Sequence, residues 1–179
     1  MSHPAQQNFV KSVKELFPKY FSNVRVLDAG SLDINGNNKF LFGGNYKYLG
    51  IDIGLGNNVD VVCRIHEFKD YHGFDTIIST ECFEHDEYLQ KSLINIVKLL
   101  RAGGLFLFTC ATLDRQEHGT RRTDTYSSPF TSLLESDYYK NVMEDDIRKI
   151  INVDDVFSEH KFIVNKEARD LYFWGIKKL

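Results

Sequence analysis

The sequence predicts an α/β fold built on a mostly parallel sheet, and three observations carry that prediction. First, the stretch from Val24 to Gly36 opens with β-branched and leucine residues, then meets Asp28 and Gly30. This is the pattern of a buried strand opening into a tight loop. A second run, Tyr46 to Asp52, also ends in an acid. Second, Leu89, Leu93, Ile96, Val97 and Leu100 recur at helical spacing between two later apolar runs. Third, the apolar runs Val156 to Val164 and Asp170 to Ile176 are joined only by Asn165-Lys166-Glu167-Ala168-Arg169, short enough for a hairpin. Alternating strands and helices call for a parallel sheet, with the final pair closing it in antiparallel fashion.

Taken in order, Ala5 to Phe17 places Phe9, Val13, Leu16 and Phe17 on one helical face, with Pro4 suited to the first turn and Pro18 ending the run. This helix is expected to cover the ligand side or an edge of the sheet. Gly36 to Phe42 offers only a short helical stretch before Gly43-Gly44-Asn45 turns the chain. Strand two is read as Tyr46 to Ile53, strand three as Val59 to Cys63, strand four as Phe74 to Ser79 and strand five as Leu105 to Cys110. In the helix between strands four and five, Asp86 and Glu87 are expected in the first turn and Lys98 and Arg101 in the last, with Gly103-Gly104 ending it. Thr112 to Leu134 is a polar excursion with little periodicity, and long loops in compact domains are usually functional or disordered. Glu144 to Ile151 reads as a short helix with acids at its amino end.

A chain of 179 residues fits one domain, 1–179, large enough for a sizeable core. Net charge −3 and a pI near 6.1 argue against a dedicated polyanion binder, so nucleic acid is not an expected partner. Cys63, Cys82 and Cys110 are odd in number and each lies in or beside an apolar run, as thiols do when they pack as small hydrophobes in a reducing compartment. The amino terminus lacks a basic region followed by an apolar stretch, and no run reaches the ~18 to 20 apolar residues of a membrane span. The expectation is a cytoplasmic protein without membrane contact.

Four motifs, in order, resemble those of class I S-adenosylmethionine-dependent methyltransferases. They are Val26-Leu27-Asp28-Ala29-Gly30; Gly50-Ile51-Asp52-Ile53; Phe74 to Glu81 followed by Phe83-Glu84-His85; and Leu100-Arg101-Ala102-Gly103-Gly104. The resemblance covers about Val24 to Cys110. It implies a Rossmann-like sheet of about seven strands, mostly parallel, with helices on both faces and an antiparallel C-terminal hairpin. It further implies S-adenosylmethionine as cofactor and methyl transfer to a small-molecule substrate, and it leaves room for a homodimer.

The resemblance implies a cofactor site made of Asp28, Ala29, Gly30, Ser31, Asp52, Ile53, Arg64, Ile65, Ser79, Thr80 and Glu81. Gly30 lets backbone approach a ligand, and the amides of its loop can face the methionine. Asp52, about 20 residues beyond the glycine turn, can accept hydrogen bonds from both ribose hydroxyls; as a plain strand-end acid it would only face solvent. Asp28 reads equally as a contact to the cofactor's amino group or as the partner that fixes its own loop. The loop departs from the glycine-rich form of the family because Ser31-Leu32-Asp33-Ile34-Asn35 separates Gly30 from Gly36. Arg64 stands where the family commonly has an acid for the adenine amino group, and arginine cannot accept that bond.

For the acceptor side, His118 and Glu81 are the candidate bases, while Arg115, His118, Arg121 and Tyr126 are candidate substrate contacts, since arginine forks pair with carboxylates or phosphates. The same arginines read as solvated loop charges. Glu81, Glu84, His85, Asp86 and Glu87 form an acidic stretch that could be read as metal ligands, but acids at a helix start ordinarily serve its dipole and Cys63 with His66 is one isolated pair, so no structural metal is expected. Two other functions share the sheet. A nicotinamide-dependent reductase should show G-x-G-x-x-G after strand one, which Gly30-Ser31-Leu32-Asp33 does not match. A catalytically silent cofactor-binding module stays open.

Overall fold

The computed structural model describes residues 4–134 and 137–179. Its seven-stranded sheet has the order β3-β2-β1-β4-β5-β7-β6. The strands are β1 (Arg25–Ala29), β2 (Lys47–Asp52), β3 (Val61–Val62), β4 (Phe74–Thr80), β5 (Leu100–Ala111), β6 (Phe157–Asn165) and β7 (Asp170–Lys177). β1 to β5 pair in parallel, and the β6–β7 hairpin adds antiparallel to β5. The fold class and the closing hairpin are those expected.

Period-two alternation sorts the core into two layers. Leu27 and Ala29 of β1, Phe106 and Phe108 of β5 and Phe173 of β7 face one layer. It is covered by α2 (Leu89–Leu99) through Leu93, Ile96 and Leu99, and by Ile147 of α4 (Glu144–Ile150). Val26, Leu105, Leu107, Tyr172 and Trp174 face the other, under α1 (Pro4–Leu16) with Phe9, Val10 and Val13. The first helix therefore covers a sheet face, and its Gln6 Nε2 donates to Asp170 Oδ2 at 2.6 Å, near the carboxyl end of β5.

Several boundaries differ from expectation for local reasons. β3 shrinks to two residues because it is an edge strand. Its flanks are pinned by other bonds, with the Gly50 amide donating to Asp60 Oδ2 and the Cys63 amide to the Asp52 carbonyl. α2 begins at Leu89 rather than at Asp86, since a 3-10 turn at Phe83–His85 intervenes and Asp86 Oδ1 accepts the Tyr88 amide. Gly103-Gly104 does not end the helix. Both lie within β5, where the pairing with β4 shifts register and Gly103 takes φ +72°. Between β1 and β2 the sole helical piece among the described residues is the 3-10 turn Lys39–Leu41. The excursion carries a short α3 (Pro129–Leu134), and α5 (Val153–Val156) leads into β6.

Candidate active site

β1 lies between β2 and β4, so successive connections leave it in opposite directions and open a crevice beyond the carboxyl ends of the strands. The cleft encloses about 790 Å³ including its open mouth. Gly30, Leu32 and Ile34 line it after β1, Asp52 and Ile53 after β2, and Cys63, Arg64 and Ile65 after β3. Glu81, Cys82, His85, Asp86 and Glu87 line it after β4, and residues 127–131 of the excursion complete it.

On the β2 side, Asp52 Oδ2 accepts the Leu32 amide at 3.0 Å and Oδ1 accepts the Ile53 amide at 2.7 Å. Burial pushes the Asp52 carboxyl above its usual range, and these two amides oppose the rise. With one amide on each oxygen, a carboxylate still has lone pairs to offer a ligand. Ile65 is buried beside it, and the Arg64 guanidinium lies 4.8 Å over the Tyr88 ring.

The glycine turn is shaped by protein rather than opened for a ligand. Gly30 takes φ +81°, and a Cβ there would stand 2.3 Å from Cys82 Sγ. The Gly30 and Ser31 amides both donate to the Ile51 carbonyl, at 2.9 and 3.0 Å, and the Asp33 amide donates to the Asn57 carbonyl. With the Leu32 amide on Asp52, the amides from Gly30 to Asp33 are all engaged inside the chain. The expectation that they face a methionine does not hold in this geometry.

Six of the residues expected around the cofactor line the cleft: Gly30, Asp52, Ile53, Arg64, Ile65 and Glu81. Asp28, Ala29, Ser31, Ser79 and Thr80 are buried outside the lining. Strand parity explains Asp28, which shares the face of Val26 and so turns toward Tyr48. Its Oδ2 accepts the Tyr48 hydroxyl at 2.6 Å and Asn58 Nδ2 at 3.2 Å, and Asn58 also donates to the Ser31 carbonyl. Burial pushes the Asp28 carboxyl up to about 7, against the Tyr48 hydrogen bond and with help from the Asp52 charge. Asp28 is thus tied through Asn58 to the Ser31 carbonyl of its own loop. Ser79 Oγ donates to the Ala29 carbonyl at 2.7 Å, which locks β4 to the end of β1.

On the β4 side, Glu81 sits at φ +52°, an uncommon conformation for a residue with a side chain and one found at functional sites. Its Oε1 accepts the Thr109 hydroxyl at 3.0 Å. Burial raises its carboxyl well above the usual range, with the Glu84 and Asp170 charges adding to the rise. Glu84 is fully buried, and burial pushes it up to about 7. The rings of His85, His118 and Tyr139 pack edge to face, with centroids 5.1 to 5.4 Å apart. Burial pushes the His85 imidazole down to about 3 and lowers His118 as well. His118 Nε2 stands 3.8 Å from Glu84 Oε1. Sequence spacing groups Glu84 with His85 but gives no sign that His118 joins them, because the excursion must fold back to deliver it.

The excursion reaches the cleft through other residues than the expected arginines. Arg115 donates to Asp170 Oδ1 at 3.1 Å and to the Ala168 carbonyl, so its fork is held by the β6–β7 hairpin. Arg121 donates to the Ser132 carbonyl, and Arg122 pairs with Glu117 and Asp137. Tyr126 is 71% exposed. None of these four lines the cleft. Phe130 does, and it lies so close over Gly54 that a Cβ there would be 2.5 Å from its ring. An aromatic residue following serines and a proline was the available signal for this cover, and sequence reasoning passed over it.

No protein-family model matches the chain, and no curated protein sequence matches it. Solved structures do resemble it. The Burkholderia thailandensis 1,6-didemethyltoxoflavin-N1-methyltransferase, solved with its acceptor and S-adenosylhomocysteine, aligns over 100% of this chain and 92% of its own at 13% identity and TM-score 0.61. The N-methyltransferase NodS from Bradyrhizobium japonicum WM9, in complex with S-adenosylhomocysteine, aligns over 98% and 89% at 15% identity and TM-score 0.64. Phosphoethanolamine N-methyltransferase 2 of Haemonchus contortus, in complex with S-adenosylmethionine, gives TM-score 0.64 at 15% identity, and this chain spans 53% of it. At such identities the fold is what is shared: the chain has a class I S-adenosylmethionine-dependent methyltransferase-like fold.

Proposed function

We propose that the chain is an S-adenosylmethionine-dependent methyltransferase acting on a small-molecule acceptor, as a single cytoplasmic domain. The observation that carries this reading is Asp52, a half-buried carboxylate at the end of β2 and beside the Gly30 turn, with one backbone amide on each oxygen. Such a group suits the two hydroxyls of a ribose. The rest of the lining supports the same cofactor: Asp52, Glu81, Asp86 and Glu87 outnumber Arg64, a balance that favours a sulfonium and an ammonium over a pyrophosphate. A dinucleotide would also want a helix amino terminus directly after β1, and among the described residues only the 3-10 turn Lys39–Leu41 follows. Ile53 and Ile65 give the adenine apolar packing. The free thiols of Cys63, Cys82 and Cys110 suit a reducing compartment, and no described helix is long and apolar enough to cross a membrane.

Bound S-adenosylmethionine supplies an already activated methyl group, so the residues here need only bind, align and exclude water. Alignment of this kind can lower a barrier by roughly 7 to 11 kcal/mol. Phe130 and its neighbours cover the cleft, and Glu81 stands at the β4 wall to receive an acceptor proton. A small acceptor fits this covered cleft better than a polymer, and the toxoflavin and phosphoethanolamine enzymes of this fold act on small molecules. The test is S-adenosylhomocysteine release from methyl-labelled cofactor across a panel of small amines, hydroxy acids and heterocycles. Turnover with a subset supports the reading. Binding of cofactor with no turnover anywhere favours a silent module, and binding of NADH instead overturns it.

A further inference from the structure

We propose that Glu84, His85 and His118 form a binding site for one divalent transition-metal ion at the β4 wall of the cleft. Each residue offers one ligand atom, and the three atoms lie within 4.8 Å of one another. Ligands at about 2.0 to 2.2 Å from one ion stand roughly 3 to 4 Å apart. The His118 Nε2 to Glu84 Oε1 distance of 3.8 Å already meets that requirement. The widest gap closes with a side-chain adjustment of about an ångström.

Independent features point to a cation here. The Glu84 carboxyl group is fully buried and neither oxygen has a partner at good hydrogen-bonding geometry, the backbone of Glu84 and Ala111 lying only near enough to favour the carboxylate. Its charged neighbours are the acids Glu81 and Asp170, and Arg115 is already engaged by Asp170. A carboxylate so placed calls for a positive partner. His118 Nδ1 lies 3.1 Å from the Gln116 carbonyl. That contact fixes the tautomer in which Nε2 presents its lone pair toward Glu84, an arrangement that orients metal-binding imidazoles. Tyr139, whose hydroxyl donates to Asn141 Oδ1 at 2.8 Å and stands 3.2 Å from the same carbonyl, packs against both rings and holds them in place. His85 Nδ1 is likewise buried without a hydrogen bond.

Two imidazoles and one carboxylate select zinc, manganese, iron or cobalt over magnesium and calcium. Three protein ligands leave a coordination position open, as catalytic sites do and structural sites do not. His85 and Glu81 both line the cleft, so that position faces the acceptor side. On the methyltransferase reading, the site would draw in an acceptor bearing an oxygen donor such as a hydroxyl or carboxylate. This reverses the sequence expectation of no metal, which weighed the acidic stretch without His118.

The test is calorimetric titration of chelator-treated protein with Zn²⁺ and with Mn²⁺, without any methyl donor. One saturable ion per chain is expected. Glu84→Gln and His118→Ala should each weaken it at least tenfold, while His72→Ala, on an exposed loop, leaves it unchanged. Should either variant fail to fold, the electronic spectrum of the Co²⁺-loaded wild-type protein gives an independent reading of nitrogen and oxygen ligation. No saturable binding, or binding indifferent to Glu84 and His118, overturns the site. S-adenosylhomocysteine binding by the same metal-free protein is scored separately, so the metal site and the cofactor reading can fail independently.

Discussion

On the β1 and β2 wall of the cleft, polar groups are held by short local hydrogen bonds, whereas the β4 and β5 wall buries ionisable groups with few of them. Both oxygens of Asp52, one oxygen of Asp28 and the amides from Gly30 to Asp33 have named partners within the chain, and only Asp28 Oδ1 among these is buried without one. Across the cleft, Glu84 has none for its carboxylate oxygens, and Glu81 adopts a positive φ. The first wall is a rigid mould whose shape folding itself pays for. The second holds its acids and imidazoles at a cost that stability does not explain, which is where chemistry is expected.

The largest predicted effect tests whether the excursion is structural beyond that second wall. Arg115→Ala leaves the buried Asp170 without its cation and should cost about 3 kcal/mol in urea unfolding, because breaking a buried pair strands a charge. Arg121→Ala, at an exposed position, should cost less than about 0.5 kcal/mol. Equal effects of the two would erase the distinction drawn between them.

Next comes the pH dependence of the first wall. The folded-state pKa of Asp28 is raised to about 7, above the ~3.9 of an unfolded chain, so the folded state holds the proton more tightly. Its contribution to stability is therefore complete below about pH 4 and is lost as pH rises toward 7. Asp28→Asn keeps an acceptor for Tyr48 and should flatten that decline across the window. An unchanged slope would mean that Asp28 is ionised in the fold. His85 acts with the opposite sign: its pKa is pushed down to about 3, so its contribution is lost as pH falls below ~6.5.

A smaller effect sharpens the account of the turn. Gly30→Ala meets both a positive φ and the Cys82 side chain, and should lower stability by about 1 to 3 kcal/mol. Adding Cys82→Ala should recover the steric part but not the backbone part. Full recovery, or none, would show that one of the two causes is absent.

The residues readable from sequence were those whose position follows from local period. The acid ending β2, the β4 to β5 crossover helix and the final hairpin each announce themselves within a short window. Asp28 illustrates a finer limit, because the strand was legible while the consequence of its parity, a side chain turned to Tyr48, was not drawn. Gly103-Gly104 looked like a helix stop because glycine marks bulges as well as caps. The meeting of Glu84 and His85 with His118, and the cover given by Phe130, depend on how a long loop returns to the sheet. No period or motif encodes that return.

The central claim is that Asp52 holds the ribose of S-adenosylmethionine, and titration calorimetry with S-adenosylhomocysteine on wild type and Asp52→Ala tests it most directly. Each charge-assisted hydrogen bond lost is worth about 1.5 to 3 kcal/mol. The account predicts saturable binding by the wild type, a weakening of roughly tenfold or more in the variant, and retained folding by far-ultraviolet circular dichroism. Undiminished affinity in a folded Asp52→Ala, or a wild type that does not bind the nucleoside, would contradict it.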